Sequence, residues 1–301
     1  MPEGPEIKRA ADEIAAAIAH RPIVEVRFAF DRLKPYEPQF ASNLVTAVDP
    51  KGKALLIRFN NQLSIYSHNQ LYGKWVIRNA YSYPETTRQL RLAIHTQEKS
   101  ALLYSASDIE VLTESEIAVH PFLSRIGPDV LDASVSLNAV IQRFQDKRFY
   151  RRSLTALLLD QHFLSGLGNY LRSEVLFVAR LHPTLRPVDC DNEAIARLAE
   201  AAIAISRRSY ETGGITNDPN LAAQLRQQGV RRQAYRHWVF NREGEPCFVC
   251  GTPIVKDIAG RRYYYCPNCQ KKHPSRVLQS LLNGSTRSLL LRMRQGLMCW
   301  L

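Results

Sequence analysis

The chain of 301 residues contains no run of about 18 apolar residues, the minimum for a membrane-spanning helix. Its first residues are polar and charged, so it also lacks the apolar stretch of a secretion signal. These two absences exclude the usual signatures of membrane and exported proteins. They predict a cytoplasmic protein that has no membrane partner.

Acidic residues are also absent from two late stretches, 219–242 and 259–301. Over the whole chain, 40 Lys and Arg residues outnumber 28 Asp and Glu residues, which gives a formal net charge of +12. Such an excess favours a polyanionic partner, most often nucleic acid. A basic run can also be ordinary solvated surface, but here the two stretches flank a cysteine-rich segment. Composition therefore predicts a protein that binds DNA or RNA.

Four of the six cysteines form two C-x-x-C pairs with fifteen residues between the pairs. This spacing is typical of a zinc site, and four thiolates would fill the tetrahedral shell of one structural ion. The intervening residues 252–265 predict a β-hairpin. A redox dithiol or two disulfides are the alternatives, and Cys190 and Cys299 belong to neither pair. The predicted zinc ligands are Cys247, Cys250, Cys266 and Cys269.

The order of predicted elements indicates an α+β protein of several domains. A helix is expected over 5–20, followed by many short strands between 23 and 105, which is typical of a β-sandwich. After these strands, the sequence pattern is typical of helices. These are expected at 137–144, 153–160, 170–178 and 192–206.

The N-terminus carries a possible nucleophile. Removal of Met1 would leave Pro2 as a secondary amine, and an α-amino group titrates near ~8, so part of it is a free base at neutral pH. A free amine can attack a sugar aldehyde carbon and form a Schiff base, and Glu3 could exchange protons with it. Met-Pro is also a common start with no catalytic meaning.

Two glycines precede a predicted helix start at Asn169. Gly166 and Gly168 allow a tight double turn, and the N–H groups at the start of a helix bind phosphate well. An ordinary turn between two helices would have the same pattern.

Together these pieces resemble the formamidopyrimidine-DNA glycosylase/endonuclease VIII family of base-excision repair enzymes. The resemblance covers residues 1 to about 270. Its motifs are residues 2–6, the Gly52-Lys53 turn, residues 166–170 and the four-cysteine hairpin. Residues 67–73 and 120–131 are most similar to the bacterial endonuclease VIII branch.

The resemblance implies a domain organisation. It implies a catalytic β-sandwich domain with an N-terminal helix over 1–125, a linker over 126–135 and a helix–two-turn–helix DNA-binding domain over 136–238. A zinc finger follows over 239–272, and a basic extension without a known counterpart occupies 273–301. DNA would lie in the cleft between the domains.

The resemblance also implies a bifunctional DNA glycosylase/AP lyase that removes oxidised pyrimidines such as thymine glycol and dihydrouracil. Pro2 would be the nucleophile at C1′ of the damaged nucleotide, and Glu3 the general acid that opens the sugar ring. Lys53 would lie near the amine and the phosphates, and Glu6 would assist proton transfer. Arg261 would bind the phosphate at the lesion. A β- and then a δ-elimination would cleave the strand.

The implied partner is damaged double-stranded DNA, bound by a monomer associated with the nucleoid. Arg125 and Asn169 match phosphate-binding positions of the family. The loop that fills the gap left by the everted base would comprise Gln70, Leu71 and Tyr72.

Several alternatives stay open. Arg262 could take the role of Arg261, because strand alternation would let only one of them face the DNA. Residues 70–72 could instead be half-buried strand positions, and Glu6 could simply stabilise the start of its helix. The enzyme could prefer purines, or the chain could be a zinc-containing DNA-binding protein without catalysis. The segment 213–236 has no assigned role.

Overall fold

The computed structural model describes residues 2–272. Met1, Cys299 and the predicted basic extension 273–301 lie outside the described residues. Within this range the N-terminal half contains eight strands: β1 Glu25–Phe28, β2 Val45–Lys51, β3 Ala54–Phe59, β4 Leu63–His68, β5 Lys74–Asn79, β6 Leu90–His95, β7 Lys99–Tyr104 and β8 Asp108–Thr113. They form a sandwich of two antiparallel four-stranded sheets, with strand orders β1-β6-β7-β5 and β2-β3-β4-β8.

Helix α1, Gly4–Ile18, packs against the sandwich with one apolar side. Ile7, Ile14 and Ile18 recur at helical spacing and are all buried in the sandwich core. The helix begins where the Glu6 N–H donates to the Glu3 carbonyl at 3.0 Å and the Glu6 carboxylate accepts from the Glu3 N–H at 3.0 Å. This cap places residues 2 and 3 just outside the helix.

The second half is mainly helical and has its own apolar core. After α2 Glu114–Val119, which follows the sandwich directly, its helices are α3 Leu137–Gln145, α4 Leu154–Leu157, α5 Asn169–Val178, α6 Asn192–Glu211, α7 Pro219–Gln227 and α8 Arg232–Tyr235. Helices α5 and α6 pack against each other, and Phe144, Leu171 and Leu198 are fully buried between the helices of this half. In residues 2–272, none of the helices combines the length and apolarity needed to cross a membrane.

The predicted zinc hairpin forms as two paired strands, β9 Val255–Ala259 and β10 Arg261–Tyr265. Gly260 stands alone between the paired residues Ala259 and Arg261 with φ of +68°, a conformation that glycine adopts without strain. Strand β10 packs on α5, where the Tyr264 N–H donates to Ser173 Oγ at 3.2 Å. The hairpin is therefore held against the helix that begins at Asn169.

The sandwich, the helical second half and the zinc hairpin confirm the predicted α+β fold, while the domain limits themselves stay predictions. Several elements were not anticipated, among them α7 and α8 in the segment 213–236, which had no assigned role. Strand β8 pairs with β4 and completes the second sheet, and α2 follows it directly. The helix expected over 153–160 is short, Leu154–Leu157, because the following residues form turns.

Candidate active site

The start of the chain is fixed against the double turn that precedes α5. The Gly4 N–H donates to the Gly166 carbonyl at 2.7 Å. A Cβ at Gly168 would lie only 2.4–2.7 Å from side-chain atoms of Glu3, so a larger residue there would displace Glu3. The two glycines identified in the sequence thus serve mainly to let the N-terminus approach this turn.

Glu3 is buried at the N-terminus of α5. Its carboxylate accepts the backbone N–H groups of Tyr170 at 2.8 Å and Leu171 at 3.2 Å. Burial raises the pKa of Glu3 to about 7, although the Lys53 charge and the two backbone hydrogen bonds act in the opposite direction. A carboxyl group with this pKa is partly protonated at neutral pH and can act as a general acid.

Lys53 is buried at the tip of the turn between β2 and β3. Gly52 has φ of +60°, and its N–H donates to Asp129 Oδ2 at 3.1 Å. Burial lowers the pKa of Lys53 and the Arg261 charge lowers it further, whereas the Glu3 carboxylate raises it. The lysine therefore shares one electrostatic environment with the predicted acid and the predicted phosphate-binding arginine.

Glu6 is held by several donors. Besides the Glu3 N–H at 3.0 Å, it accepts from Arg9 Nη2 at 2.9 Å and from the Tyr170 hydroxyl at 3.1 Å. These contacts give Glu6 a clear role in fixing the start of α1 to α5. Its part in proton transfer stays a prediction.

A cavity of about 1030 Å³ brings together residues from the sandwich, α5 and the zinc hairpin. It joins most of the residues predicted to act on DNA. The predicted site residues that line it are Pro2, Glu3, Glu6, Leu71, Asn169 and Arg261.

Four predicted residues do not line this cavity: Lys53, Gln70, Tyr72 and Arg125. Lys53 is buried beside it. Arg125 is exposed at the end of a short 3₁₀ helix, Leu123–Arg125, where its Nε donates to the Pro121 carbonyl at 2.9 Å. Its predicted phosphate contact would therefore lie outside the cavity.

The predicted gap-filling residues lie in the loop Asn69–Gly73 between β4 and β5. Leu71 and Tyr72 are 56% and 67% exposed, which is high for such apolar side chains. Gln70 has φ of +50° and breaks the extended backbone. These residues are therefore not half-buried strand positions, and their exposure suits contact with DNA.

Both arginines at the hairpin tip line the cavity, which differs from the expectation that strand alternation would allow only one to do so. Arg261 and Arg262 lie directly after the Gly260 turn, and both are exposed. The Arg261 charge is the one that lowers the pKa of Lys53. This link supports Arg261 as the closer partner of Lys53.

Arg172 was missed by the sequence reasoning and is fully buried. It donates to the carbonyls of Arg261 and Arg262 at 3.2 and 2.8 Å and to Asn169 Oδ1 at 2.7 Å. Burial lowers the pKa of Arg172 to about 10. The available signal was the pair of charged residues Arg172 and Glu174 in a helix whose flanking positions on both sides are apolar. The contacts of Arg172 join the predicted phosphate-binding residues into one rigid group.

Glu174 is a second unpredicted group, also fully buried on α5. It accepts the N–H groups of Trp238, Val239 and Phe240 at 2.7–2.9 Å and the hydroxyl of Thr216. Burial raises the pKa of Glu174, and the four donors oppose that effect. The carboxylate ties α5 to the segment that leads into the zinc finger.

The four paired cysteines converge as predicted. Their sulfur atoms all lie within 4.8 Å of one another, and three of the sulfur pairs are 3.4–3.9 Å apart. Tetrahedral coordination with Zn–S bonds of about 2.3 Å requires sulfur atoms roughly 3.8 Å apart. One structural zinc fits here. The ion would be held by Cys247, Cys250, Cys266 and Cys269 and would leave no open coordination position for chemistry.

Three segments match known families. Residues 1–107 match the formamidopyrimidine-DNA glycosylase N-terminal domain, residues 126–219 its H2TH domain and residues 244–272 the zinc finger found in FPG and IleRS. The third match agrees with the convergence of the four cysteines. The matched segments include the N-terminus, the double turn and the zinc hairpin.

Full-length relatives are also similar. Endonuclease 8 of Salmonella enteritidis is 46% identical over 272 residues, which cover 90% of this chain and all of the relative. Endonuclease 8 of Escherichia coli is 46% identical over 271 residues with the same coverage.

Among solved structures, the fold resembles Lactococcus lactis Fpg bound to DNA that contains an abasic site, with a TM-score of 0.73, 20% identity and 90% of this chain covered. Another complex of that protein, with DNA containing an oxidised pyrimidine, has a TM-score of 0.74, 21% identity and the same coverage. Both comparisons cover the whole of the solved chain. By its sequence and its fold, the chain belongs to the formamidopyrimidine-DNA glycosylase/endonuclease 8 family, DNA glycosylases with AP lyase activity that act in base-excision repair.

Proposed function

We propose that this chain removes oxidised pyrimidines from double-stranded DNA and then cleaves the strand at the resulting abasic site. The observation that carries the proposal is the position of Glu3, a buried carboxyl group with a pKa of about 7 directly beside Pro2 in the cavity. A binding protein without catalysis would have no need for a partly protonated carboxyl group at this position. The similarity to proteins named endonuclease 8 supports the preference for pyrimidines.

In the first half of the reaction, the Pro2 nitrogen replaces the damaged base at C1′ of the sugar. The Pro2 nitrogen, freed by removal of Met1, attacks C1′ of the damaged nucleotide while Glu3 donates a proton to the ring oxygen O4′. The C1′–O4′ bond breaks, and the nitrogen lone pair then expels the base, which leaves with a proton. A Schiff base between Pro2 and the opened sugar remains. The positive charges of Lys53 and Arg261 disfavour the protonated amine and keep it reactive.

The second half cleaves the strand. The Schiff base withdraws electrons, so the C2′ proton becomes acidic and the 3′-phosphate leaves by β-elimination. Loss of a further proton then expels the 5′-phosphate by δ-elimination. Arg261 contacts the departing phosphate, and Asn169 binds the backbone, with its Oδ1 occupied by Arg172 and its amide NH₂ left to donate. The zinc supports these steps only by holding the hairpin.

The damaged base must leave the helix before Pro2 can reach C1′, at a cost of about a few kcal/mol of lost stacking. Leu71 and Tyr72, exposed on the loop Asn69–Gly73, enter the stack and offset part of this loss. Arg125 contacts the backbone outside the cavity. The protein acts as a monomer in the cytoplasm, associated with the nucleoid.

The decisive experiment is borohydride trapping on a duplex that contains an abasic site. We expect a covalent protein–DNA adduct from the wild type and none from Pro2→Gly. Intact-mass measurement is expected to show that Met1 is absent from active protein. If the wild type gave no adduct, or if active protein retained Met1, the Schiff-base mechanism would be wrong and a binding role without catalysis would be favoured.

The substrate preference needs a separate measurement. Single-turnover base removal is compared on two duplexes that differ only in the lesion, thymine glycol or 8-oxoguanine. We expect faster removal of thymine glycol. Faster removal of 8-oxoguanine would assign the chain to the purine-preferring type of the family while leaving the Pro2 chemistry intact.

A further inference from the structure

The loop Asn69–Gly73 is ordered by hydrogen bonds from outside itself. Ser107 Oγ, in the turn between β7 and β8, donates to Gln70 Oε1 at 2.7 Å. Arg88 Nη1, in the connection between β5 and β6, donates to the Tyr72 carbonyl at 2.5 Å. These two contacts hold the loop on either side of Leu71 and leave the Leu71 and Tyr72 side chains exposed.

The loop also restrains its own backbone. The Gly73 N–H donates to the Asn69 carbonyl at 2.7 Å, and a Cβ at Gly73 would lie 2.5 Å from that carbonyl oxygen. The loop is therefore a tight turn closed at its base. Its outer end is held by the two side-chain contacts from Ser107 and Arg88.

Arg88 is well placed to fix the loop because its own backbone is anchored. It lies two residues before β6, and the Gln89 carbonyl beside it accepts the Ser105 N–H at 2.8 Å. A guanidinium donating to a carbonyl makes a charge-assisted hydrogen bond, which is stronger than a neutral one. The contact thus connects the loop to the central strands of a sheet.

We propose that Arg88 is a positioning residue for base eversion, which holds the Tyr72 carbonyl so that Leu71 and Tyr72 enter the DNA stack from an already ordered loop. The inference rests on the proposed function, because it assumes that these two side chains fill the gap left by the base. An ordered loop loses little conformational freedom when the DNA binds, so less of the binding energy is consumed in forming the everted state.

The chain offers a matched control in Arg78. It is exposed on β5 and lines the same cavity of about 500 Å³ as Arg88, but it donates only to the carbonyl of its neighbour Ile77. Arg78→Ala and Arg88→Ala remove the same charge from the same region. Only Arg88→Ala removes a contact to the loop.

The experiment measures single-turnover removal of thymine glycol from a duplex, together with the fluorescence of 2-aminopurine placed opposite the lesion. We expect Arg88→Ala to slow base removal and the 2-aminopurine change about three- to tenfold, since a charge-assisted but exposed hydrogen bond is lost. Arg88→Lys, which keeps a charged donor, is expected to recover most of the rate. Ser107→Ala, which releases the other contact, is expected to have a smaller effect in the same direction.

A single-stranded oligonucleotide with an abasic site separates the two proposals. It has no opposite strand and no stack to fill, so borohydride trapping on it is expected to be equal for the wild type and Arg88→Ala. Absence of trapping by the wild type on duplex DNA would overturn the proposed function. The role of Arg88 would be overturned if Arg88→Ala slowed duplex repair no more than Arg78→Ala, or if it weakened single-stranded trapping equally.

Discussion

Two buried glutamates contact or belong to helix α5: Glu3 accepts N–H groups at its start, and Glu174 lies within it. Glu3 and Glu174 are both fully buried, and both accept backbone N–H groups from another part of the chain. Glu3 has two such donors and faces the cavity beside Pro2. Glu174 has three backbone donors and a hydroxyl, and it does not line the cavity.

The difference in donors gives the same residue type two roles. Burial penalises an ionised carboxylate, and hydrogen bonds from N–H and O–H donors offset that penalty. At Glu174 four donors oppose the rise in pKa that burial causes, and through them the residue links α5 to the segment around Thr216 and Trp238. At Glu3 fewer donors leave the pKa at about 7, where the group can exchange a proton.

The largest expected effect is on catalysis, through Glu3→Gln. Glutamine is nearly isosteric and can still accept an N–H from Tyr170, but it has no acidic proton to donate to the sugar. We expect thymine-glycol removal to slow about 10²–10⁴-fold, the usual contribution of a general acid. The rate is measured in single turnover, and the melting temperature is measured alongside it. A loss of less than tenfold in folded protein would remove Glu3 from its role.

Glu174→Gln is expected to act on stability instead. The amide NH₂ of glutamine would face at least one of the N–H donors at residues 238–240, so buried hydrogen bonds of Glu174 are lost and two donors oppose each other. We expect the free energy of unfolding in urea to fall by about 2–3 kcal/mol. Base removal by the folded protein is expected to stay within a few-fold of the wild type. An unchanged unfolding midpoint would show that Glu174 is not the link described here.

The pH dependence of base removal is a further test of the different roles of Glu3 and Glu174. The acid form of Glu3 is required, and this form disappears as the pH rises through its pKa of about 7. Once the pH also exceeds the pKa of the Pro2 amine, we expect the single-turnover rate to fall about tenfold per pH unit, because the gain in free-base Pro2 no longer offsets the loss of the Glu3 acid. This fall in rate at high pH is expected to persist in Glu174→Gln and to be absent from the residual rate of Glu3→Gln. If Glu3→Gln showed the same fall in rate at high pH, the fall would belong to the titration of another group.

The local chemistry of the site could be predicted from sequence because it depends on short motifs. The paired cysteines, the glycines at 166 and 168 and the Pro2-Glu3 start each constrain a few neighbouring residues. That the N-terminus, the double turn and the zinc hairpin meet in one site could not be derived from spacing alone, and it was inferred from the family resemblance. Strand β8 was missed because the sequence reasoning placed no element between residue 105 and the linker near 126.

Arg172 and Glu174 show the limit of such reasoning. Their roles depend on backbone groups about 64–90 residues away in sequence, and a backbone N–H or carbonyl has no sequence signature. The same holds for Arg88, whose partner is the carbonyl of Tyr72. For Arg172 and Glu174 the sequence does contain charged residues between apolar ones on one helix, which indicates buried partners without identifying them. Arg88 lacks even this signal, since its neighbours are polar.

The smallest predicted effect concerns Thr216, which completes the environment of Glu174. Arg236 Nε donates to His237 Nε2 at 2.8 Å, so the neutral ring carries its hydrogen on Nδ1, and burial lowers the pKa of His237 to about 3, which keeps it neutral. Nδ1 lies 2.8 Å from Thr216 Oγ1 and donates to it, which leaves the single hydroxyl hydrogen for Glu174. The hydrogen bonds therefore run in one direction, from Arg236 in the cavity wall to Glu174.

Thr216→Val keeps the shape of the side chain but interrupts this series of hydrogen bonds. Both His237 Nδ1 and Glu174 then lose a partner in a buried environment, so we expect unfolding in urea to be easier by about 1–2 kcal/mol. Thr216→Ser, which retains the hydroxyl, is the control and is expected to lose less. Because three backbone donors still hold Glu174, the loss is expected to be smaller than for Glu174→Gln. A loss as large as that of Glu174→Gln would mean that the hydroxyl, and not the three backbone N–H groups, is the main compensation for the burial of this carboxyl group.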